Sequence, residues 1–532
     1  FDILAIICII LFCIAISPVT MQNDTYYTVK IGETIVQNGI DGMDHFSWHE
    51  NLNYEYPHWL YDVMMYFIYN MGGWTGIYIS TLVFTCLLGI TLYITSKKMC
   101  KNQIVPFVLT IASIFLIKSY IAARAQLVTF ILFVLEVFFI EKFIKNRKIG
   151  YAVGLLSISL LIANLHVAVW PFFFVLFLPY IAEYLVCAIV DLDLILKLKK
   201  LAYVIKKKIF FKNAEKIKII EEKIISIDNQ REKIKQRREE NRKHPYKIKI
   251  ERNKNIKYLI LVMLIAALLG LCTPLGKTPY TYLIDTMQGN TTKNINEHLP
   301  LTLIDQKDIL GLLIIVIALL MLTDIKIRLR DLFMFGGLVI LTLMSRRQIS
   351  MLILIGMPIY CKLILAFFKK YKCMQDVKKL LKEMTGVYGF CITLCVFVIV
   401  STNMYKPKLD DKYVDESSYP VQACDYILEN LDISNMRIYN EYNYGSYMLY
   451  RGIPVFIDSR ADLYTPEFNP GCTVFDDFLN IGTYYENKFD EYNITHVICF
   501  KNAKLNMFLS RNYEYKELYS DDRFIIYERD VE

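Results

Sequence analysis

The sequence predicts a polytopic α-helical membrane protein of about eleven spans, followed by a small C-terminal α/β domain on the outer side. Three observations predict it. Of 532 residues, 55% are hydrophobic and only 21% charged, with a mean hydropathy of +0.33, which is too apolar for a soluble chain of this size. Apolar stretches long enough to cross a hydrocarbon core of about 30 Å recur through residues 1–402. Lys and Arg gather in alternate loops, the asymmetry that sets membrane topology.

The expected spans are 2–19, 74–95, 103–120, 122–140, 150–166, 168–190, 257–272, 308–323, 331–345, 349–368 and 384–402. The chain opens on Phe1 rather than Met and is read as starting inside a longer sequence. The run 3–17, followed by no small-residue cleavage site, is read as a span and not a signal peptide. Residues 57–72 carry Trp59, Leu60, Val63, Met64, Phe67, Ile68 and Met71 at helical spacing. They predict an amphipathic helix at the outer surface. A further helix is expected from Tyr27, Ile31 and Ile35, ended by Gly39.

Basic residues cluster at 97–101, 142–148, 191–256, 326–330 and 369–382, and all five loops alternate correctly if that side is cytoplasmic. Residues 20–73 contain Lys30 as their single cation against seven acids, and form the outer loop. Trp48, Trp59, Trp74 and Trp170 then lie at the outer interface. The net charge of +8 belongs largely to the insert 191–256, which is Lys-, Ile- and Glu-rich. The insert predicts one or two charged helices attracted to anionic lipid, not a nucleic-acid interface. Of 13 Cys, only Cys424, Cys472 and Cys499 lie in the tail, which is neither a disulfide framework nor a zinc pattern. In residues 403–532, a helix 420–431 and β-rich runs at 436–439, 454–458, 495–500 and 524–528 predict a small α/β domain.

The outer side concentrates the chemistry. Asp24 follows the first span in MQNDTYY, and the loop continues MDHFSWHENLNYEYPHWLYD. A carboxylate at a membrane surface, Asp24 or Asp44, can accept a proton from an attacking hydroxyl. Asp44, His45, His49 and Glu50 mix hard and imidazole ligands that suit a divalent metal, although no tight ligand motif is present. Solvated loop acids and interface-packed histidines are the plainer alternative. Arg124, Arg346 and Arg347 run against the topology bias on the outer side. They can clamp a lipid phosphate or snorkel toward headgroups. His166 and Glu297 reach the same face. In IDSRADLY, Asp458, Arg460 and Asp462 either overhang a membrane cavity or pair internally to fix a turn.

Together these residues resemble the GT-C superfamily of membrane glycosyltransferases, whose relatives include protein mannosyltransferases and the lipid A aminoarabinose transferase. The resemblance is closer to a bacterial branch with a C-terminal outer α/β domain. It is carried by Asp24, Tyr26, Tyr27, Gly32, Gly39, Asp44, Phe46, Ser47, Trp48, Trp59 and Leu60, and by the later blocks ARAQ, ANLH, CTPLG, NEHLP, SRRQ, NEYNYGSYMLYR and VFIDSRADLY. It spans about Asp24 to Phe500 without the insert. It departs from the mannosyltransferases where Thr25, not an acid, follows Asp24, and from other relatives where Ala125 stands in ARAQ.

The resemblance implies inverting transfer of a sugar from a polyprenyl phosphate or diphosphate to a cell-envelope glycan, lipid or protein acceptor, at the outer face of a bacterial plasma membrane. It implies Asp24 as base, Asp44 as a second acid, and Arg124, Arg346 and Arg347 as phosphate contacts; by their place on the outer side, His166, Glu297 and Arg460 are further candidate substrate-binding residues, with a purely structural role as the alternative. The metal set would be His45, His49 and Glu50. The competing expectation is a non-catalytic, transport-type or polysaccharide-polymerase membrane protein. No Gly-rich nucleotide loop and no nucleophilic Ser or Cys motif is present, which argues against a cytosolic nucleotide-dependent enzyme.

Overall fold

The computed structural model describes residues 1–190, 193–210, 214–243, 247–251 and 253–530. Helix accounts for 69% of it. Each of the eleven apolar stretches is helical: Asp2–Ile16, Trp59–Cys100, Ile104–Leu116, Ala125–Asn146, Ile149–Leu165, Leu178–Val190, Ile256–Leu269, Lys307–Leu322, Leu329–Met344, Ile349–Lys370 and Val387–Tyr405. Among the described residues, four segments are long and apolar enough to cross a membrane, namely Trp59–Cys100, Val167–Cys187, Arg346–Lys370 and Val387–Lys408. The chain is thus a helical membrane protein. Ile349–Lys370 is the central helix of the bundle, with Leu352–Leu354 essentially inaccessible. Val387–Tyr405 lies at the edge against Asp2–Ile16 and turns Ile392 and Ile399 outward, as a lipid-facing helix does.

The expected surface helix and the span after it are one element. Trp59–Cys100 runs through both and breaks only at Gly73, whose φ of 56° and ψ of −149° lie outside the helical region. A glycine accepts this conformation without a Cβ penalty.

The two ends of the bundle differ in chemistry. At one end the basic loops meet buried acids. Arg328 grips Glu141 at 2.8 Å and Asp331 at 2.7 Å, Arg330 reaches Glu183 at 2.9 Å and Glu251 at 3.0 Å, and Lys362 lies 3.2 Å from Asp331. The described residues of the insert include two helices, Asp193–Ile209 and Ala214–Lys243, packed on each other. At the other end lie residues 20–58, the turns near 118–124 and 166–170, the loops 270–306 and 345–348, and the tail. Glu141 lies 17 positions beyond Arg124, the residue that precedes helix Ala125–Asn146, which at 1.5 Å per residue separates the ends by about 25 Å.

The tail holds a four-stranded sheet in the order Ile438–Tyr439, His496–Phe500, Phe524–Arg529, Tyr515–Ser520, parallel at the first pairing and antiparallel elsewhere. Helix Val421–Asn430 falls where expected. The run 454–458 is not a strand of this sheet. Val455, Phe456 and Ile457 are completely buried, and Val455 pairs instead with the first outer loop, accepting from Trp48 N (3.3 Å) and donating to Phe46 O (3.2 Å). The strand Tyr515–Ser520 was not anticipated, because its mostly exposed, charged face hides the period-two signal.

Candidate functional site

Asp24 lies in the first turn of helix Asn23–Asn38, where the helix dipole favours a carboxylate. Two bonds fix this helix end. Thr25 Oγ1 donates to Ala123 O (3.4 Å), and Asn23 Nδ2 donates to Tyr442 O in the tail (3.0 Å). The bond to Ala123 holds Asp24 beside Arg124, which precedes helix Ala125–Asn146. The Arg124 Nε is 3.1 Å from Asp24 Oδ2, and its Nη1 donates to Glu297 Oε1 at 3.1 Å. Three residues from distant parts of the sequence therefore meet at the end of the bundle that carries the tail. All three remain partly open to solvent.

The Glu297 loop is zipped to the SRRQ turn. Arg347 N donates to Glu297 O (3.0 Å), Arg346 N to Leu299 O (3.0 Å), and Ser345 Oγ to Glu297 O (3.2 Å). The two arginines then part. The Arg346 guanidinium ties down its own neighbourhood, bonding Pro300 O (3.3 Å) and Thr302 Oγ1 (3.0 Å). The half-buried Arg347 guanidinium has no hydrogen-bond or ion-pair partner among the described residues, while its charge acts on Glu297, His58, His166 and Asp462. Burial alone would raise the Glu297 carboxyl, but Arg124 and Arg347 outweigh it and hold it below the ordinary range.

The His58 and His166 rings lie against each other, tilted by 58°, with centroids 4.8 Å apart. The turn at His166 is pinned by Val167 N donating to Pro57 O (2.9 Å), and His166 Nδ1 pairs with Thr129 Oγ1 at 3.3 Å. Asn164, in the same ANLH block, accepts from Trp59 Nε1 (3.2 Å) and donates to Cys272 O (3.2 Å). Burial first, then the nearby Arg347 and Arg124, pushes His58 down to about 3; burial and His58 push His166 well below its ordinary value. Both rings are therefore neutral at pH 7 and can donate one N–H each. His58 was not among the site residues read from the sequence. Its one signal was the Pro-His pair opening PHWLYD.

Asp44 and Arg460 correct the sequence reading. Asp44 does not join Asp24. Its side chain is fully buried, accepting from Arg460 Nη1 (2.7 Å), Ser47 N (3.0 Å) and Ser47 Oγ (2.5 Å). Arg460 is equally committed. It forms two bonds to Asp458, at 2.9 and 2.7 Å, and lies over the rings of Phe46 and Tyr54. Tyr464 Oη adds a donor to Asp458 at 2.6 Å. Asp462 accepts from Tyr282 (3.0 Å), Thr286 (3.2 Å) and Thr291 (3.1 Å). The IDSRADLY block thus welds the tail to the first outer loop and to the 278–294 loop. Asp458 and Arg460 make the internal pairing, one of the two expected alternatives.

The metal set also diverges. His45 pairs with Asp41 (2.7 Å) at the surface, and Glu50 is exposed. His49 Nε2 bonds Phe456 O (2.8 Å) in an aromatic nest with Trp48 and Tyr492, where burial pushes it down to about 4. Among the described residues no three His, Cys, Asp or Glu side chains come together as a metal would require. His45, His49 and Glu50 as placed do not fit a shared ion.

What the geometry offers is a carboxylate held by one guanidinium, a second guanidinium without a partner among the described residues, and two neutral imidazoles, at one end of the bundle. Compared with protein-family models and with curated proteins, the chain matches none.

Proposed function

We propose that this chain is a membrane glycosyltransferase of the GT-C type. It moves a sugar from a polyprenyl-phosphate or -diphosphate donor to a cell-envelope acceptor. The observation that carries the reading is the meeting of Asp24, Arg124 and Glu297 beside the unpaired Arg347. In this reading the C-terminal domain lies outside the cytoplasm, the side the scarcity of Lys and Arg in residues 20–73 favours.

Asp24 accepts the proton of the attacking acceptor hydroxyl as the new bond forms at the anomeric carbon. The old bond from that carbon to the phosphate oxygen breaks on the opposite face, so the configuration inverts. Arg124 orients Asp24. Arg347, with N–H groups of His58 and His166, receives the departing phosphate, whose charge grows as the bond breaks. A guanidinium left open at the lipid interface suits a planar, two-point contact with phosphate oxygens.

The test uses the full chain in lipid vesicles with a polyprenyl-phosphate-linked sugar. Asp24→Asn is expected to keep the thermal unfolding temperature and abolish turnover. Arg347→Gln is expected to raise KM for the lipid donor more than it lowers kcat. Wild-type turnover in the Asp24→Asn variant removes Asp24 from the role of base.

A further inference from the structure

Helix Asp193–Ile209 begins two residues after Leu178–Val190, the last part of a segment able to cross the membrane. It is therefore tethered at the lipid surface whatever the rest of the insert does. Its side chains divide into three faces. Leu196 is buried, Tyr203 is half-buried, and Lys200 and Lys207 form ion pairs with Asp228 (2.6 Å) and Glu221 (2.5 Å) of helix Ala214–Lys243. Residues 196, 200, 203 and 207 follow helical spacing, so this face packs on the second helix.

The opposite face is apolar and uncovered. Ile195, Leu198, Leu201, Ile205 and Ile209 are 43%, 58%, 56%, 50% and 66% exposed. At 100° per residue all five lie within about 60° of Leu198. Lys197 and Lys208 flank this stripe on one side, and Lys199 and Lys206 on the other. A soluble hairpin would turn such a stripe inward against its partner helix. Here the partner helix takes the ion-paired face, and the stripe points away.

We propose that Asp193–Ile209 lies in the plane of the membrane, its apolar stripe sunk among the acyl chains of an anionic leaflet and its four flanking lysines at the phosphates. Helix Ala214–Lys243 rides on its aqueous side. The tether puts the helix at the bilayer, and the lysine borders match the negative charge of lipid headgroups. The leaflet is the one at the end of the bundle where the basic loops gather. The arrangement does not depend on the chemistry of the outer site. It makes the insert a charge-sensitive peripheral anchor, and each lysine brought to an anionic surface adds about a five-fold preference.

The experiment places a reporter on each face of the full chain in vesicles. Leu198→Trp puts an indole in the stripe, and Glu222→Trp puts one on the second helix. Vesicles of phosphatidylglycerol with phosphatidylcholine carry bromine on the acyl chains about 5–10 Å below the headgroups. Relative to the wild-type protein, the added Leu198→Trp emission is expected to be blue-shifted and quenched, and the Glu222→Trp emission neither. Replacing Lys197, Lys199, Lys206 and Lys208 together by Gln should remove the dependence on phosphatidylglycerol. Unquenched, water-like emission from Leu198→Trp overturns the proposal. So does quenching indifferent to lipid charge and to the four lysines, or cross-linking between two chains through position 198, which would make the stripe a protein interface.

Discussion

Replacing Arg460 by Met separates a structural from a catalytic role for the acids around it. The side chains of Asp44 and Asp458 are 0% exposed and that of Arg460 is 2% exposed. Removing one member of such a buried ionic group costs about 3–5 kcal/mol, because the partners stay buried without a counter-charge. The remaining donors soften the loss. Asp44 keeps both Ser47 bonds, and Asp458 keeps Tyr464 and the backbone N–H of residue 460. The lower end, about 3 kcal/mol, is therefore expected, equivalent to a fall in Tm of about 10–15 °C for a unit the size of the tail. Trp48 reports it, since its Nε1 donates to Ile438 O across the seam between loop and tail (2.9 Å).

The pH dependence gives a second readout. Burial alone would raise the Asp44 pKa, but Arg460 and the Ser47 hydrogen bonds more than reverse this, so it lies below the ordinary carboxylate value. Its contribution to stability is complete above the unfolded carboxylate pKa of about 3.9 and is lost as pH falls through the lower folded value. In Arg460→Met the same carboxylate is desolvated without a cation, and protonation relieves it. The stability gap between wild type and variant is expected to narrow from pH 7 toward about pH 4. A gap that is small at pH 7, or one that does not change with pH, refutes the account of Asp44 as a buried structural anion.

Three further outcomes follow. At Gly32, where helix Asn23–Asn38 crosses Trp59–Cys100, an added Cβ would stand 2.1 Å from the Asp62 carbonyl oxygen and 2.7 Å from Tyr66 Cβ. Gly32→Ala should cost about 1–3 kcal/mol and, since Asp24 lies two turns earlier on the same helix face, lower turnover more than melting alone explains. His58 and His166 are neutral through the physiological range, so the pH–rate profile of His58→Gln should keep the wild-type shape between about pH 6 and 8; loss of an inflection there would show that His58 titrates in catalysis. Glu141→Ala strips a shared partner from Arg328, Arg330 and Lys362. Thermal unfolding in detergent should show a loss of about 3 kcal/mol, while donor KM at the opposite end of the bundle is unchanged.

The elements legible in the sequence were those with a repeating physical signal. Continuous apolar runs marked the helices, because only an internally bonded helix can pass through lipid as a single segment. Gly39 marked the end of the juxtamembrane helix, and its φ is +83°. Local patterning said less where an element is buried on both faces, as at Val455–Ile457, or exposed on one face and charged, as at Tyr515–Ser520. At the site, outer-face arginines stood out because they oppose the topology rule, and Asp24 stood out by its place after the first span. Which arginine is free did not. Arg346 and Arg347 are adjacent and chemically identical, and only the zipper to residues 297–302 commits the first and releases the second.

Composition and patterning suffice for a helical membrane protein, for the charge contrast between its two sets of loops, and for the short roll of acids and cations from which a site could be made. Tertiary structure alone decided how they pair. A carboxylate looks the same in the sequence whether it ends beside Arg124 with solvent access, as Asp24 does, or sealed against Arg460, as Asp44 does. The difference lies in desolvation and in the direction of the partner's hydrogen bonds, and both are set by chain segments that lie far away in the sequence.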